Sequence, residues 1–186
     1  MNTTPTHDFS QPRFIPEPVR YLDTQNTERT HDWRAWRITD HAVLTFIVKD
    51  NRVLLIHKKR GLGKGKINAP GGRVEPNETP LQAAIRETQE EVGLTPTHLE
   101  EHAILNFAFT DGYGLKCHVF VAAGYEGTPI ETDEALPFWC DIPEIPYGKM
   151  WADDRVWLPL MLEGKRLEAW FIFDNDAALW HQMNVN

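Results

Sequence analysis

A chain of 186 residues with 41% hydrophobic and 25% charged side chains can bury one core of its own and leaves little room for a second. Nineteen Lys and Arg against 27 Asp and Glu give a formal net charge of −8, which excludes a general polyanion coat but permits one small anionic ligand held by a local positive charge. The only cysteines, Cys117 and Cys140, form no CxxC pair, which excludes a zinc cluster or disulfide scaffold and makes a reducing compartment the expectation.

In chain order, residues 1–40 come first. They carry Pro5, Pro12, Pro16 and Pro18 among Thr, Asn and Gln, a composition that predicts an extended arm, loosely ordered or laid across a domain spanning 41–186. Trp33, Trp36 and Ile38 are predicted to pin the arm to the body. Met1 to Ser10 is polar and lacks the apolar core of a signal peptide. Stretches such as Ala42–Val48 and Val156–Leu162 fall far short of the roughly 20 residues that span a bilayer. A cytoplasmic protein with no membrane partner is the expectation.

Ala42–Val48, the Asp50-Asn51 turn signal and Arg52–His57 predict a hairpin. A basic glycine-broken loop follows, from Lys58 to Lys66; no Lys-Ser or Lys-Thr follows a G-x4-G, so it is not a phosphate loop of the Walker type. Pro70-Gly71-Gly72 marks a turn. Residues 79–92 predict a helix, with Thr79 as N-cap, Pro80 in the first turn, Gln82 completing a capping box and Gly93 as the stop. Leu81, Ala84, Ile85, Thr88 and Val92 form the stripe expected to pack on a sheet. Strands are predicted at Ala103–Thr110, Leu115–Ala123 and Pro137–Ile142, then a helix near 153–163 that Pro159 should bend or end, and a final strand at Leu167–Phe173. The sum is a mixed sheet with helices on its faces, an α/β or α+β layered domain.

Glu87, Glu90 and Glu91 stand at i, i+3 and i+4, so all three project from one helical face. Such an arrangement is either a solvated acidic face or the oxygen shell of a hard divalent cation, most often Mg²⁺. Spacing decides between them. From Gly72 the chain reads G-x5-E-x7-R-E-U-x-E-E-x-G-U through Glu78, Arg86, Glu87, Glu90, Glu91 and Gly93, and this pattern resembles the Nudix hydrolase family. Only Thr88 departs, where the family usually places an aliphatic residue.

The resemblance implies an α/β/α sandwich around a mixed sheet. It also implies Mg²⁺ or Mn²⁺ held by Glu87, Glu90 and Glu91 with a carbonyl from Gly72, with Arg86 pairing a glutamate, and water attacking a phosphoanhydride. His57 to Gly61, Gly127 to Glu134 and the Met150–Asp154 run extend the likeness to the MutT-homologue branch of that family, the oxidised purine nucleoside triphosphate diphosphatases. That branch implies Glu134 as a further carboxylate near the metals and a base pocket of Asn68, Trp151, Asp153 and Asp154, while Lys58 is the basic-loop member placed nearest the substrate. Asp153 or Asp154 could instead cap the following helix; if both face a buried pocket, repulsion keeps one protonated. Leu62, Ile67 and Ala69-Pro70 stand where the branch carries aromatics and a glycine, so walls of aliphatic residues are expected. His57 and His118 read as packing residues.

The leading expectation is a Mg²⁺-dependent diphosphatase of the 8-oxo-dGTP type that sanitises the nucleotide pool. The alternative is a Nudix hydrolase of another nucleoside diphosphate derivative, such as a nucleotide sugar, a dinucleoside polyphosphate or capped RNA. A non-catalytic nucleotide sensor would have lost a box glutamate, and none is lost here. A small nucleotide is the expected partner, with no nucleic-acid polymer, in a monomer or homodimer.

Overall fold

The computed structural model describes residues 14–186; the reading of Met1 to Ser10, with Pro5 and Pro12, falls outside them. Two short strands, β1 (Val19–Leu22) and β2 (Glu28–His31), form a separate antiparallel ribbon. Then come β3 (Asp40–Lys49), β4 (Arg52–Lys58), β5 (Ile67–Asn68), α1 (Pro80–Val92), β6 (Thr95–Phe109), β7 (Gly114–Glu126) and β8 (Ala135–Asp141). After two single turns of 3-10 helix, α2 (Asp154–Leu162), β9 (Leu167–Asp174) and β10 (Ala177–Val185) complete the chain. The main sheet runs β10-β9-β6-β7-β3-β4-β5, with β8 beside β4. It is mixed, since β3 runs parallel to β7 and β6 parallel to β9.

The Asp50-Asn51 turn positions the site. Both residues take positive φ, 51° and 59°, the backbone a two-residue hairpin turn of matching twist requires. Yet β3 and β4 pair only beside that turn, at Val48↔Val53 and Lys49↔Arg52. Beyond it β3 follows β7, while β4 pairs with β5 and β8. The two halves of the sheet diverge there and open a gap. Phe46, Leu55, Trp157, Met161 and Phe171 are buried in the main core, which joins both halves to α2. Val43, Ala83, Ala84 and Phe120 form a smaller cluster under α1.

Three expectations change, and of the two outcomes expected at Pro159, bending or ending the helix, one is excluded. The buried face of α1 is Ala83, Ala84, Thr88, Glu91 and Val92, whereas Leu81 is exposed and Ile85 only half-buried. Small alanines let the helix lie close to β3, where the Thr45 hydroxyl donates to Ala84 O at 3.3 Å, and this turns the face toward Glu91. Thr88 sits in that face with its hydroxyl donating to Ala84 O at 2.7 Å, which answers its only donor. Pro159 lies inside α2 and does not end it. Leu167–Phe173 is not the last strand: β10 follows, paired to β9 across the Asp174–Asp176 turn. Finally, the described part of the arm is the β1–β2 ribbon. Trp33 is buried against Ala108, Trp170 and Ile172, with Trp36 beside it, and so both pin the ribbon to the sheet, while Ile38 is exposed.

Candidate active site

Residues 70–74 run along β3 as an irregular strand. Thr45 N–H donates to Pro70 O at 2.8 Å, Val43 N–H to Gly72 O at 2.8 Å and Val74 N–H to His41 O at 2.9 Å. A Cβ on Gly71 would stand 2.0 Å from Val43 O, and one on Gly72 would stand 2.4 Å from the Glu87 carboxyl. Glycines here therefore press the chain against β3 and let Glu87 lie on the Gly72 backbone. From there α1 starts with both bonds of its capping box, Gln82 N–H to Thr79 Oγ1 at 3.2 Å and Thr79 N–H to Gln82 Oε1 at 2.8 Å.

Arg86 organises the acidic face. Its Nε and Nη2 reach the two Glu78 oxygens at 2.8 Å each, and its Nη1 reaches Glu87 at 2.8 Å and Glu90 at 3.1 Å. Nη2 also donates to Arg73 O at 3.0 Å. The guanidinium holds Glu78 below the usual carboxylate range. Glu91 points the other way, into the protein. Gly71 N–H donates to its Oε2 at 3.0 Å, and Lys58 Nζ donates to its Oε1 and, at 3.3 Å, to Gly71 O. Burial pushes Glu87 and Glu91 upward, and Arg86 and Lys58 respectively offset part of that rise.

This donor set fits a hard divalent cation in its chemistry, being carboxylate oxygens without thiolate or imidazole. Among the described residues no three such groups converge on one point, since Arg86 draws Glu87 and Glu90 while Lys58 holds Glu91. The Gly72 carbonyl already accepts from Val43 and has one lone pair left. Glu134 is exposed at the cavity mouth, and its main-chain carbonyl accepts from Lys59 N–H at 2.8 Å.

A single cavity of about 470 Å³ occupies the gap between the sheet halves. Gly72, Glu87, Asp153, Asp154 and Trp157 all line it, as do Lys58, Asn68, Glu134 and Trp151; Lys58 contacts Gly71 and Trp151 contacts Asp154. Arg86, Glu90 and Glu91 are not among the residues that line it. Asp153 and Asp154 are only 3% and 2% exposed. Neither is a side-chain cap of α2: Asp153 Oδ2 accepts Trp157 Nε1–H at 2.9 Å, and Asp154 Oδ2 accepts Trp151 N–H at 3.0 Å. Burial lifts Asp153 to about 6. Burial and the neighbouring Asp153 charge lift Asp154 well above the carboxylate range, so the pair favours holding one proton between its two carboxyls.

The NUDIX domain matches residues 38–161. The oxidized purine nucleoside triphosphate hydrolase of Danio rerio is 46% identical over 143 residues, covering 76% of this chain and 92% of that protein. The mouse (Mus musculus) protein of the same name is 37% identical over 142 residues, covering 75% and 91%. The chain belongs to the Nudix hydrolase family. A crystal structure of a MutT protein from Bacillus halodurans superposes with a TM-score of 0.71 at 26% identity, covering 78% of this chain and 97% of that one. Nudix hydrolases generally use a divalent metal, and no described helix here is long and apolar enough to cross a membrane.

Several residues of this Nudix cavity escape a reading of the sequence. Leu105, Phe107 and Phe109 line it from alternate positions of β6, joined by Tyr113, Leu115 and Cys117 near β7 and by Phe173 of β9. The walls thus carry aromatic residues beside the aliphatic ones expected, among them Leu62 and Ala69. Leu62 borders the mouth and is exposed, while Ile67 packs in the core. The period of two along β6 was the available signal. His118 is half-buried, 2.6 Å from Glu101 Oε1 and stacked on His41, and His57 lies exposed beside Phe138, so neither histidine faces the site.

Proposed function

We propose that this Nudix hydrolase cleaves oxidised purine nucleoside triphosphates of the 8-oxo-dGTP type to the monophosphate and pyrophosphate. One observation carries the reading: the continuous cavity joins the Gly72–Glu87 end, which suits phosphates, to the buried Asp153–Asp154 pair, which suits a base edge. The names of the fish and mouse relatives support the same substrate class.

At the base end, a pair holding one proton can accept a hydrogen bond through one carboxyl and donate one through the other. Neighbouring donor and acceptor groups match a purine edge whose own pattern alternates, and a mismatched base would leave a buried carboxyl unpaired. Asn68 Oδ1 accepts Ala69 N–H at 2.8 Å, which turns its amide N–H donors to the ligand. Trp151 offers its ring to the base. At the phosphate end, Glu87, Glu90 and Glu91 would hold Mg²⁺ or Mn²⁺, with the Gly72 carbonyl and Glu134 at the margin. Bound there, such an ion supplies positive charge to the phosphates and acidifies the attacking water. Arg86 fixes the rotamers of Glu87 and Glu90, Gly71 N–H fixes Glu91, and Lys58 brings a cation to the polyphosphate side. Two free buried cysteines accord with a cytoplasmic nucleotide pool as the place of work.

The test is pyrophosphate release with Mg²⁺ from 8-oxo-dGTP, dGTP and ADP-ribose side by side. Strong preference for 8-oxo-dGTP is expected. Hydrolysis of ADP-ribose alone would discard the purine triphosphate and leave the family standing.

A further inference from the structure

The β9–β10 turn carries a charge that the hydrolysis chemistry above does not use. Asp176 Oδ2 lies 3.0 Å from Lys66 Nζ, and the same ammonium stands 4.8 Å from the centroid of the Trp151 ring. An indole face is electronegative, so a cation placed over it is attracted, the more so when partly desolvated. The Lys66 side chain is 24% exposed against 69% for Asp176, so the acid faces solvent and the ammonium is tucked between acid and ring.

Other neighbours confine that ring. Phe173 meets Trp151 edge to face, with centroids 6.0 Å apart and planes at 85°. Gly63, at φ 80°, brings bare backbone to the indole edge, and a Cβ there would stand 3.0 Å from Trp151 Nε1. The loop carrying Lys66 is itself fixed, by Lys66 N–H to Gly63 O at 2.9 Å and Lys58 N–H to Lys66 O at 3.0 Å. A surface ion pair alone contributes little. Here the ammonium serves two partners from different parts of the chain, so holding Lys66 also holds the ring.

We infer that Lys66, anchored by Asp176, is a positioning residue that fixes the Trp151 ring as a wall of the cavity and thereby sets affinity for the substrate base. The base in question rests on the purine reading above; the clamp on Trp151 does not. With Lys66 over one face, the ring surface left to a ligand is the one turned from the ammonium. Losing the cation frees the indole to rotate, so a ligand must then order it at its own expense.

The experiment uses full-length protein labelled with 5-fluorotryptophan. Among seven tryptophan ¹⁹F resonances, that of Trp151 is assigned by its loss in Trp151→Phe. Lys66→Met keeps the stem and removes the charge; it is expected to move or broaden the Trp151 resonance without ligand and to weaken 8-oxo-dGMP binding by roughly three- to tenfold. Lys66→Arg keeps a cation over the ring and should restore binding to within about twofold of the parent, with Asp176→Asn between the two. An unmoved Trp151 resonance in a folded Lys66→Met protein overturns the clamp, and a moved resonance with unchanged binding overturns its role in affinity. Failure of the parent protein to bind 8-oxo-dGMP overturns the purine reading instead, and the resonance by itself then decides whether Lys66 holds the ring.

Discussion

At the residue scale, Glu90 and Glu91 are neighbours in sequence with opposite surroundings. Glu90 is 61% exposed and, among the described residues, pairs with Arg86, whereas Glu91 is 1% exposed and bonded to Lys58 and Gly71. Glu90→Gln and Glu91→Gln are each expected to lower turnover by orders of magnitude if both hold the metal. Their effects on folding should differ. Glu91→Gln sets an amide N–H₂ against one of two donors, the Lys58 ammonium or the Gly71 N–H, and should cost about 1–3 kcal/mol, while Glu90→Gln should leave the melting temperature nearly unchanged. Unchanged turnover in both variants would remove the metal assignment. The Asp153–Asp154 pair makes a second residue-scale prediction. A carboxyl raised in the folded state binds its proton more tightly there than in the unfolded chain, so its contribution is full below the unfolded value of 3.8 and is lost as pH rises toward about 6 for Asp153, and further for Asp154. Asp154→Asn should therefore melt higher than the parent at pH 7, with the gap closing below pH 4. The same substitution should change preference among bases more than the rate on the best substrate. A constant melting difference across that range would mean that the pair carries no such proton.

At the element scale, the approach of the 70–74 segment to β3 separates two adjacent glycines. Gly71→Ala drives its Cβ into main chain at Val43, which cannot yield without breaking the pairing, so a large loss of stability is expected in urea titrations. Gly72→Ala meets the Glu87 carboxyl first, a side chain that can swing aside; activity should fall with a much smaller loss of stability. Equal destabilisation by both would show that the glycines act through backbone freedom and not through close approach. The helix that follows was legible from Thr79 to Gly93 because capping chemistry is local: each bond spans three or four residues. Its buried face was legible only in part: Ala84, Thr88 and Val92 are buried as the stripe required, but Leu81 and Ile85 are not, and Ala83 and Glu91 take their place. Apolarity alone selected Leu81 and Ile85, but the small Ala83 and Ala84 decide how near the helix can come to β3, and that turns buried Glu91 toward Lys58.

At the scale of the whole molecule, the N-terminal ribbon behaves as part of the core. Trp33 packs with Trp170 and Ile172, strand residues that removal of the ribbon would expose, and the Thr24 hydroxyl donates to Asp174 at the β9–β10 turn. Trp33→Ala is expected to cost about 3–5 kcal/mol, and a chain starting at residue 38 should unfold at lower urea and self-associate in light scattering. A truncated chain as stable as the parent would return the ribbon to the role of a loose arm. What the sequence determined by itself was local: the turn at Asp50-Asn51, the capped helix, and the spacing of Glu78, Arg86, Glu87, Glu90 and Glu91 that marks the Nudix family. Each depends on groups a few residues apart, whose geometry the helix or turn fixes in advance. Tertiary structure alone decided the aromatic cavity walls, the last strand, the ribbon on the sheet and the meeting of Lys66 with Trp151 and Asp176. Except for β10, which closes on β9 across a short turn, those contacts join segments tens of residues apart, and strand pairing across such distances is set by which faces can be buried together, a property of the assembled sheet and not of any one segment.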